Sequence, residues 1–249
     1  DLRLPGATLK RDGKATILTH SNPQYVNPED EATLPGTELA VDVALLDPKT
    51  EVCVLRGDVV THAKHAGRRL FGAGINLTHL YEGKIRYLWY LIRDLGFVNK
   101  MYRGVATGKE SPEVAATEKL WIAAVEGFAI GGHCQILLAM DYTIAAKDAY
   151  LTLPARKEGI IPGAANLRLP RFVGDRIARQ AVLADLRIDC DSAAGRMICD
   201  EIVSPSAMEE SISSIVEKLT SSGVVSAAGN RKAFRAGEEP LDAFRRYMA

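Results

Sequence analysis

Neither charge sign is in excess in this sequence. Its 249 residues include 31 basic and 31 acidic side chains, which gives a formal net charge of zero. Because these charges are spread along the chain, we expect no nucleic-acid partner and no binding to an anionic membrane surface. Hydrophobic residues make up 47% of the chain, which is enough for a sizeable core in one large domain or two small ones.

Cysteine is also scarce, and its spacing is not that of a metal site or a disulfide framework. The four cysteines are Cys53, Cys134, Cys190 and Cys199, in apolar or helical surroundings. The histidines add no metal site, because His62 and His65 lack a third ligand nearby. We therefore expect free thiols, no metal and a reducing, cytoplasmic location.

Long apolar runs are missing as well. None approaches the roughly 20 residues that a membrane-spanning helix needs, and no signal-peptide pattern opens the chain. We therefore expect a protein with no membrane partner. Because the chain begins at Asp1 and not at a methionine, we also expect sequence to be missing upstream.

What the sequence does contain is an alternation of strand and helix patterns. Short apolar, often β-branched runs predict strands at residues 15–19, 52–56, 121–125, 142–146 and 150–153. Apolar residues at helical spacing predict helices at residues 27–45, 85–101, 133–140, 165–173, 175–184 and 206–222, the first with Asn27 as its N-cap. This order predicts an α/β spiral with a helical C-terminal half. Residues 104–118, rich in glycine, serine, proline and charge, are predicted to form a mobile surface loop.

Two glycine-rich turns each connect a predicted strand or loop to a predicted helix. They are FGAGI at residues 71–75 and GFAIGG at residues 127–132. A turn that leads into a helix directs unpaired N–H groups outward, and glycine lets a substrate oxygen approach without meeting a Cβ. Either turn alone is more often only a tight turn. Together they could converge on one oxygen and stabilise an oxyanion by about 3–4 kcal/mol per donor.

These turns, together with WIAAVEGFAIGG at residues 121–132 and GIIPGAA at residues 159–165, resemble the signature blocks of the crotonase (enoyl-CoA hydratase/isomerase) superfamily. The resemblance covers about residues 16–203. It implies a crotonase-like ββα spiral core at residues 1–203, a helical region at residues 204–249 and a CoA thioester substrate. It also implies an oxyanion hole made by the N–H groups of Ile75 and Gly132, and a homotrimer or dimer of trimers completed by the C-terminal helices.

The sequence departs from a hydratase of this superfamily at two positions. Such a hydratase would carry one glutamate three residues after Gly132 and a second directly after Pro154, but Gln135 and Ala155 stand there. Activation and delivery of water need both acids, and neither glutamine nor alanine exchanges a proton near neutral pH. Simple hydration is therefore disfavoured.

Further segments resemble a narrower branch, the cofactor-independent dioxygenases that act on 3,5-dihydroxyphenylacetyl-CoA. The segments are NPED at residues 27–30, GINL at 74–77, RDLG at 93–96, GHCQ at 132–135 and KEGIIPGAANLRL at 157–169. The resemblance implies a reaction with O2 that uses neither a metal nor an organic cofactor, in the formation of dihydroxyphenylglycine for vancomycin-type glycopeptide antibiotics. His133 is a departure, because a small residue is expected there. The resemblance also implies helical regions before the core and after Met248, and we expect both to be missing from this sequence.

The same resemblance implies roles for individual residues. Glu29, Arg93 and Gln135 would surround the dihydroxyphenyl ring and contact its hydroxyls. A dry pocket for dioxygen would be lined by three apolar side chains, Ile75, Leu77 and Ile160. From the residues alone, Glu29 also fits the first turn of a helix, and Arg93 also fits a surface ion pair with Asp94 or the Glu31 region. The three apolar residues are by default core residues.

Other interpretations stay open. The basic residues Arg68 and Arg69 resemble a solvated face, but they precede the first turn, so we predict that they bind the CoA phosphates. A hydrolase or isomerase of another acyl-CoA could use Glu29 or Glu158 as its base. A non-catalytic CoA-binding or assembly subunit is the third interpretation, which the retained turns disfavour.

Overall fold

The computed structural model describes residues 1–109 and 115–248, which form twelve strands. These are β1 (Leu2–Leu4), β2 (Ala7–Asp12), β3 (Ala15–His20), β4 (Val52–Gly57), β5 (Val105–Ala106), β6 (Ala116–Thr117), β7 (Leu120–Val125), β8 (Phe128–Ile130), β9 (Tyr142–Ala146), β10 (Tyr150–Thr152), β11 (Ile188–Asp189) and β12 (Glu201–Val203). All five predicted strands are among them, each to within one residue at either end.

The α-helices lie mainly in the second half of the chain. They are α1 (Leu34–Leu46), α2 (Leu77–Tyr81), α3 (Trp89–Arg93), α4 (Asn99–Arg103), α5 (Gly132–Leu137), α6 (Ala155–Glu158), α7 (Ala165–Leu183), α8 (Met208–Thr220), α9 (Val224–Glu238) and α10 (Leu241–Met248). A π-helical turn (Asp94–Val98) joins α3 to α4, so the helix predicted at residues 85–101 is present but begins later. Gly174, with φ of +75°, interrupts α7 between the two helices predicted there.

The main sheet has seven strands in the order β1-β2-β3-β4-β7-β9-β12. The pairs β1–β2 and β2–β3 are antiparallel, and each pair from β3 onward is parallel. A smaller sheet pairs β8 with β10 in parallel and β10 with β11 antiparallel. The central parallel strands β4 and β7 are buried almost throughout, which explains their continuous apolar sequences. The predicted α/β class with C-terminal helices is confirmed.

The predicted start of the first helix is wrong. Helix α1 begins at Leu34 with Thr33 at its N-cap position, and Asn27 has φ of +57°, outside helical geometry. The Asn27 side-chain amide donates to the carbonyl oxygens of Asp58 and Leu70, at 2.8 and 2.9 Å. These long-range bonds hold the chain in a left-handed turn, and they outweigh the local helix-start signal.

The segment after that turn is extended, and it carries Glu29 to the first glycine-rich turn. Glu29 and Ile75 form a parallel bridge. The Glu29 N–H donates to the Gly74 carbonyl at 2.6 Å, and the Asn76 N–H donates to the Glu29 carbonyl at 2.8 Å. The alternative in which Glu29 merely occupies the first turn of a helix is therefore wrong.

Other sequence predictions have mixed outcomes. Strands β5 and β6 pair with each other at the two ends of the predicted loop, and residues 110–114 of that loop lie outside the described residues. All four cysteines are buried free thiols, as predicted. In the described part of the chain no helix combines the length and the apolar character that crossing a bilayer requires. The division at residue 203 stays a prediction, although β12 ends the main sheet there.

Candidate active site

The two glycine-rich turns lie against each other. Gly72 and Ala129 form a parallel bridge, which joins the first turn to strand β8 within the second turn. A Cβ added to Gly74 would lie 3.0 Å from the backbone nitrogen of Gly132 and 2.7 Å from the carbonyl oxygen of Ile130. Gly74 also has φ of +75°, so both its conformation and this close approach require glycine.

Each turn leaves one backbone N–H without an acceptor among the described residues. The neighbours of Ile75 bond to Glu29, which leaves the N–H of Ile75 on the opposite side of the bridge. Gly132 is the first residue of α5, where an N–H has no partner within the helix. Ile75 and Gly132 both line one cavity of about 650 Å³. The structure thus places two unbonded donors at a single cavity.

Arg93 lies at the centre of the polar end of this cavity. Its Nε donates to both carboxylate oxygens of Glu29 at 3.0 Å, and Nη2 lies 2.8 Å from one of them. Nη2 also donates to the Gly132 carbonyl at 2.8 Å. Nη1 donates to Asp94 at 2.6 Å and to Gln135 Oε1 at 3.2 Å. All five guanidinium N–H groups therefore point at protein acceptors.

The charges in this cluster are buried. The side chains of Arg93 and Glu29 are 3% and 4% exposed, and that of Asp94 is 6% exposed. Burial alone would lower the pKa of Arg93, but the Glu29 and Asp94 carboxylates outweigh it and raise that pKa. One guanidinium faces two carboxylates and does not bond all of their oxygens, so one carboxylate oxygen, on Asp94, remains as an acceptor at the cavity.

Two polar groups of the cluster stay available to a ligand. Because Arg93 must donate, the oxygen of the Gln135 amide faces it, and the NH2 group has no acceptor among the described residues. The second carboxylate oxygen of Asp94 likewise accepts no hydrogen bond there. Both residues line the cavity. A ligand therefore meets one donor and one acceptor, while Glu29 and Arg93 are already engaged with each other.

The apolar walls contain two of the three side chains predicted to hold dioxygen. Ile75 and Ile160 line the cavity, and Trp89 and Tyr90 are among the other lining residues. Leu77 is not among the lining residues; it is partly buried at the start of α2 and packs against the main core. The structure therefore brings Ile75 and Ile160 together at the cavity, whereas Leu77 does not line it.

Arg68 and Arg69 do not line this cavity. Arg69 donates to the Gly57 carbonyl at 2.8 Å and lies 3.7 Å from the Glu126 carboxylate. The Arg68 side chain is 53% exposed and lies 3.9 Å from Asp148. Their contact with CoA phosphates stays a prediction, because the described cavity does not extend to them.

Sequence reasoning gave no role to several lining residues, among them Asp94 and Tyr247. Asp94 was visible only as a neighbour of Arg93, and nothing marked Tyr247 in helix α10, whose hydroxyl donates to the Gly163 carbonyl. Glu158, considered as a base, also lines the cavity, and burial followed by the nearby Asp185 charge raises its pKa.

The fold and the paired turns define a class of protein. The model of the enoyl-CoA hydratase/isomerase family matches residues 65–247. The chain belongs to that family, the crotonase superfamily, as its sequence motifs predicted.

One relative within this family has a high sequence identity to this chain. The chain is 45% identical, over all 249 residues, to the (3,5-dihydroxyphenyl)acetyl-CoA 1,2-dioxygenase of Amycolatopsis orientalis. The match covers 100% of this chain and 56% of the relative, so the chain spans little more than half of that protein's length.

Solved structures show the same fold. A carnitinyl-CoA dehydratase from Mycobacterium avium matches with a TM-score of 0.77 and 24% identity, over 98% of this chain and 91% of that one. An enoyl-CoA hydratase from Mycobacterium tuberculosis matches with a TM-score of 0.76 and 23% identity, over 98% and 87%. At these identities the likeness is one of fold, and the predicted crotonase-like fold is confirmed.

Proposed function

We propose that this chain forms the active site of a dioxygenase that needs no metal or organic cofactor. It converts 3,5-dihydroxyphenylacetyl-CoA and O2 to 3,5-dihydroxyphenylglyoxylate and CoA, in the formation of dihydroxyphenylglycine for a glycopeptide antibiotic. The observation that carries the proposal is the 45% identity, along the whole chain, to an enzyme named for that substrate. The glutamine and alanine at positions 135 and 155 support it, because they remove the acids that hydration needs.

The first step uses the two unbonded amides. A proton leaves the carbon between the ring and the thioester, and the negative charge moves to the thioester oxygen. The N–H groups of Ile75 and Gly132 stabilise this thioenolate, by about 3–4 kcal/mol per donor. Delocalisation into the electron-rich ring adds to that stabilisation.

The second step consumes dioxygen. The carbanion passes one electron to O2, and the two radicals recombine to a peroxide on the α carbon. The peroxide attacks the thioester carbonyl and expels CoA as its thiolate, which closes a four-membered peroxide ring. The α carbon then loses its second proton, which the CoA thiolate takes up. The electrons of that C–H bond form the ketone as the O–O bond breaks, and the other oxygen completes the carboxylate of the 2-oxo acid. Both oxygen atoms of O2 enter the product. The apolar walls at Ile75 and Ile160 suit a neutral gas and exclude water.

The polar end of the cavity receives the dihydroxyphenyl ring. The free NH2 of Gln135 donates to one ring oxygen, and the free carboxylate oxygen of Asp94 accepts from a ring hydroxyl. Arg93 and Glu29 border the same end. Because they bond to each other, their main role is to hold Gln135 and Asp94 in place. This refines the role that the resemblance implied for Glu29, Arg93 and Gln135.

The proposal is tested by mixing the purified, metal-free protein with 3,5-dihydroxyphenylacetyl-CoA and following three quantities together. We expect oxygen consumption, CoA release and keto-acid formation in equal amounts. A Gln135→Leu variant should bind the substrate more weakly, whereas Tyr87→Phe, which changes a side chain at the exposed rim, should behave like wild type. Release of CoA without oxygen uptake would contradict the dioxygenase. Sedimentation of the same sample tests the proposed homotrimer or dimer of trimers.

A hydrolase or isomerase of another acyl-CoA is the second candidate. One observation favours it: Glu158 lines the cavity, and burial raises its pKa, which makes its carboxylate a stronger base. Glu29 is the weaker candidate base, since both its oxygens accept from Arg93. Anaerobic turnover that disappears in a Glu158→Gln variant would support this alternative over the dioxygenase.

A further inference from the structure

His133 links the two glycine-rich turns through one hydrogen bond. The Gly74 N–H donates to the Nδ1 atom of His133 at 3.0 Å. Gly74 directly precedes Ile75, and His133 directly follows Gly132. The bond therefore joins the immediate neighbours of the two unbonded donors.

The ring of His133 is held in a fixed orientation. Its side chain is 2% exposed, and it contacts His20 and Phe71 with ring centroids 4.9 and 5.8 Å apart. A Cβ added to Gly72 would lie 2.4 Å from atoms of the ring, so the imidazole occupies the space that a side chain there would need. Packing on several sides keeps Nδ1 directed at the Gly74 N–H.

The hydrogen bond also fixes the protonation state of the ring. An Nδ1 that accepts carries no proton, so the neutral ring has its hydrogen on Nε2. Burial, followed by the charges of His20 and Arg93, holds the pKa of His133 well below its usual range, which agrees with a neutral ring. A neutral acceptor in this position tolerates no second proton without losing the bond to Gly74.

We propose that His133 is a positioning residue that sets the relative placement of the Ile75 and Gly132 N–H groups by anchoring Gly74. The inference rests on the proposed function of those two groups in holding the thioester oxygen. Both donors must lie about 2.7–3.1 Å from one oxygen, so a small displacement of either turn lowers catalysis. His133 does not touch the substrate and acts only through Gly74.

Two substitutions separate this role from simple core filling. His133→Phe keeps an aromatic ring packed against Phe71 but removes the acceptor, and His133→Asn places a carbonyl oxygen close to the position of Nδ1. For the oxygen-consuming reaction we expect the phenylalanine variant to lose about 10- to 100-fold in kcat with little change in KM, because the donors act mainly in the transition state. The asparagine variant should recover most of that loss. Equal activity of wild type and His133→Phe, or equal loss in both variants, would overturn the proposal.

A second measurement does not depend on the reaction. The amide of Gly74 should exchange slowly with solvent in wild type and in His133→Asn, and faster in His133→Phe. Nitrogen NMR of the wild-type ring should show Nδ1 unprotonated. This measurement tests the hydrogen bond from Gly74 even if the phenylalanine variant fails to fold. A protonated Nδ1, or a rapidly exchanging Gly74 amide in wild type, would overturn the inference. Absence of oxygen uptake by a wild type with the expected NMR signals would instead refute the proposed function.

Discussion

Replacement of Arg93 by methionine tests the buried charge cluster. Methionine keeps much of the volume but removes five donors and the positive charge. It leaves Glu29 and Asp94, whose side chains are 4% and 6% exposed, without their main partner. Removal of one partner from a buried ion pair costs about 3–5 kcal/mol, because the remaining charge is neither solvated nor paired. We expect Arg93→Met to lower the free energy of unfolding by that amount.

The measurement is urea unfolding followed by fluorescence, with Arg179→Met as the matched control. Arg179 forms an ion pair with Asp175 on the surface of α7, with both side chains more than half exposed. An exposed pair of this kind contributes at most about 1 kcal/mol, so the control should change little.

One result would refute this reasoning. If Arg93→Met were no more destabilising than Arg179→Met, the two buried carboxylates would not depend on the guanidinium for their stability.

Three further predictions concern other parts of the molecule. Gly163 and Gly159 both have positive φ, but only at Gly163 would an added Cβ meet site atoms, at 2.3 Å from an Asp94 carboxylate oxygen and 2.7 Å from the Gln135 amide oxygen. Gly163→Ala should therefore abolish activity. Gly159→Ala should lower the free energy of unfolding by about 1 kcal/mol and leave activity unchanged. Burial raises the pKa of Cys53 to about 12, so iodoacetamide should label it only after unfolding, and labelling of the native protein would contradict the buried position. Burial acts to raise the pKa of Glu239, but the hydrogen bond and charge of Arg168 outweigh it and lower that pKa. The stability that Glu239 contributes is thus present at neutral pH and lost in acid, so the unfolding difference between wild type and Glu239→Gln should narrow as the pH falls; a constant difference would contradict this.

Much of the fold could be predicted because its strands are parallel and buried. Such strands are continuous apolar runs, and the runs at residues 52–56 and 121–125 became β4 and β7. The helix start at Asn27 was wrong for a physical reason. Its local sequence fits an N-cap, but hydrogen bonds to Asp58 and Leu70, distant in the chain, decide its conformation.

The backbone part of the candidate site, the two glycine-rich turns, could be predicted from the sequence. The contacts between its side chains could not. The glycines around Ile75 and Gly132 showed both turns in the sequence. The five bonds of Arg93, by contrast, join groups from three separate segments, and no spacing along the chain indicates them. The same holds for the bond from Gly74 to His133, which spans 59 residues.

The most direct test is a crystal structure of this protein with an unreactive analogue of the arylacetyl-CoA, in which the thioester carbonyl is retained. We predict that the carbonyl oxygen lies about 3 Å from the backbone nitrogens of both Ile75 and Gly132, with the aromatic ring at Gln135 and Asp94. A carbonyl bound elsewhere in the cavity, or bonded to only one of these nitrogens, would contradict the account.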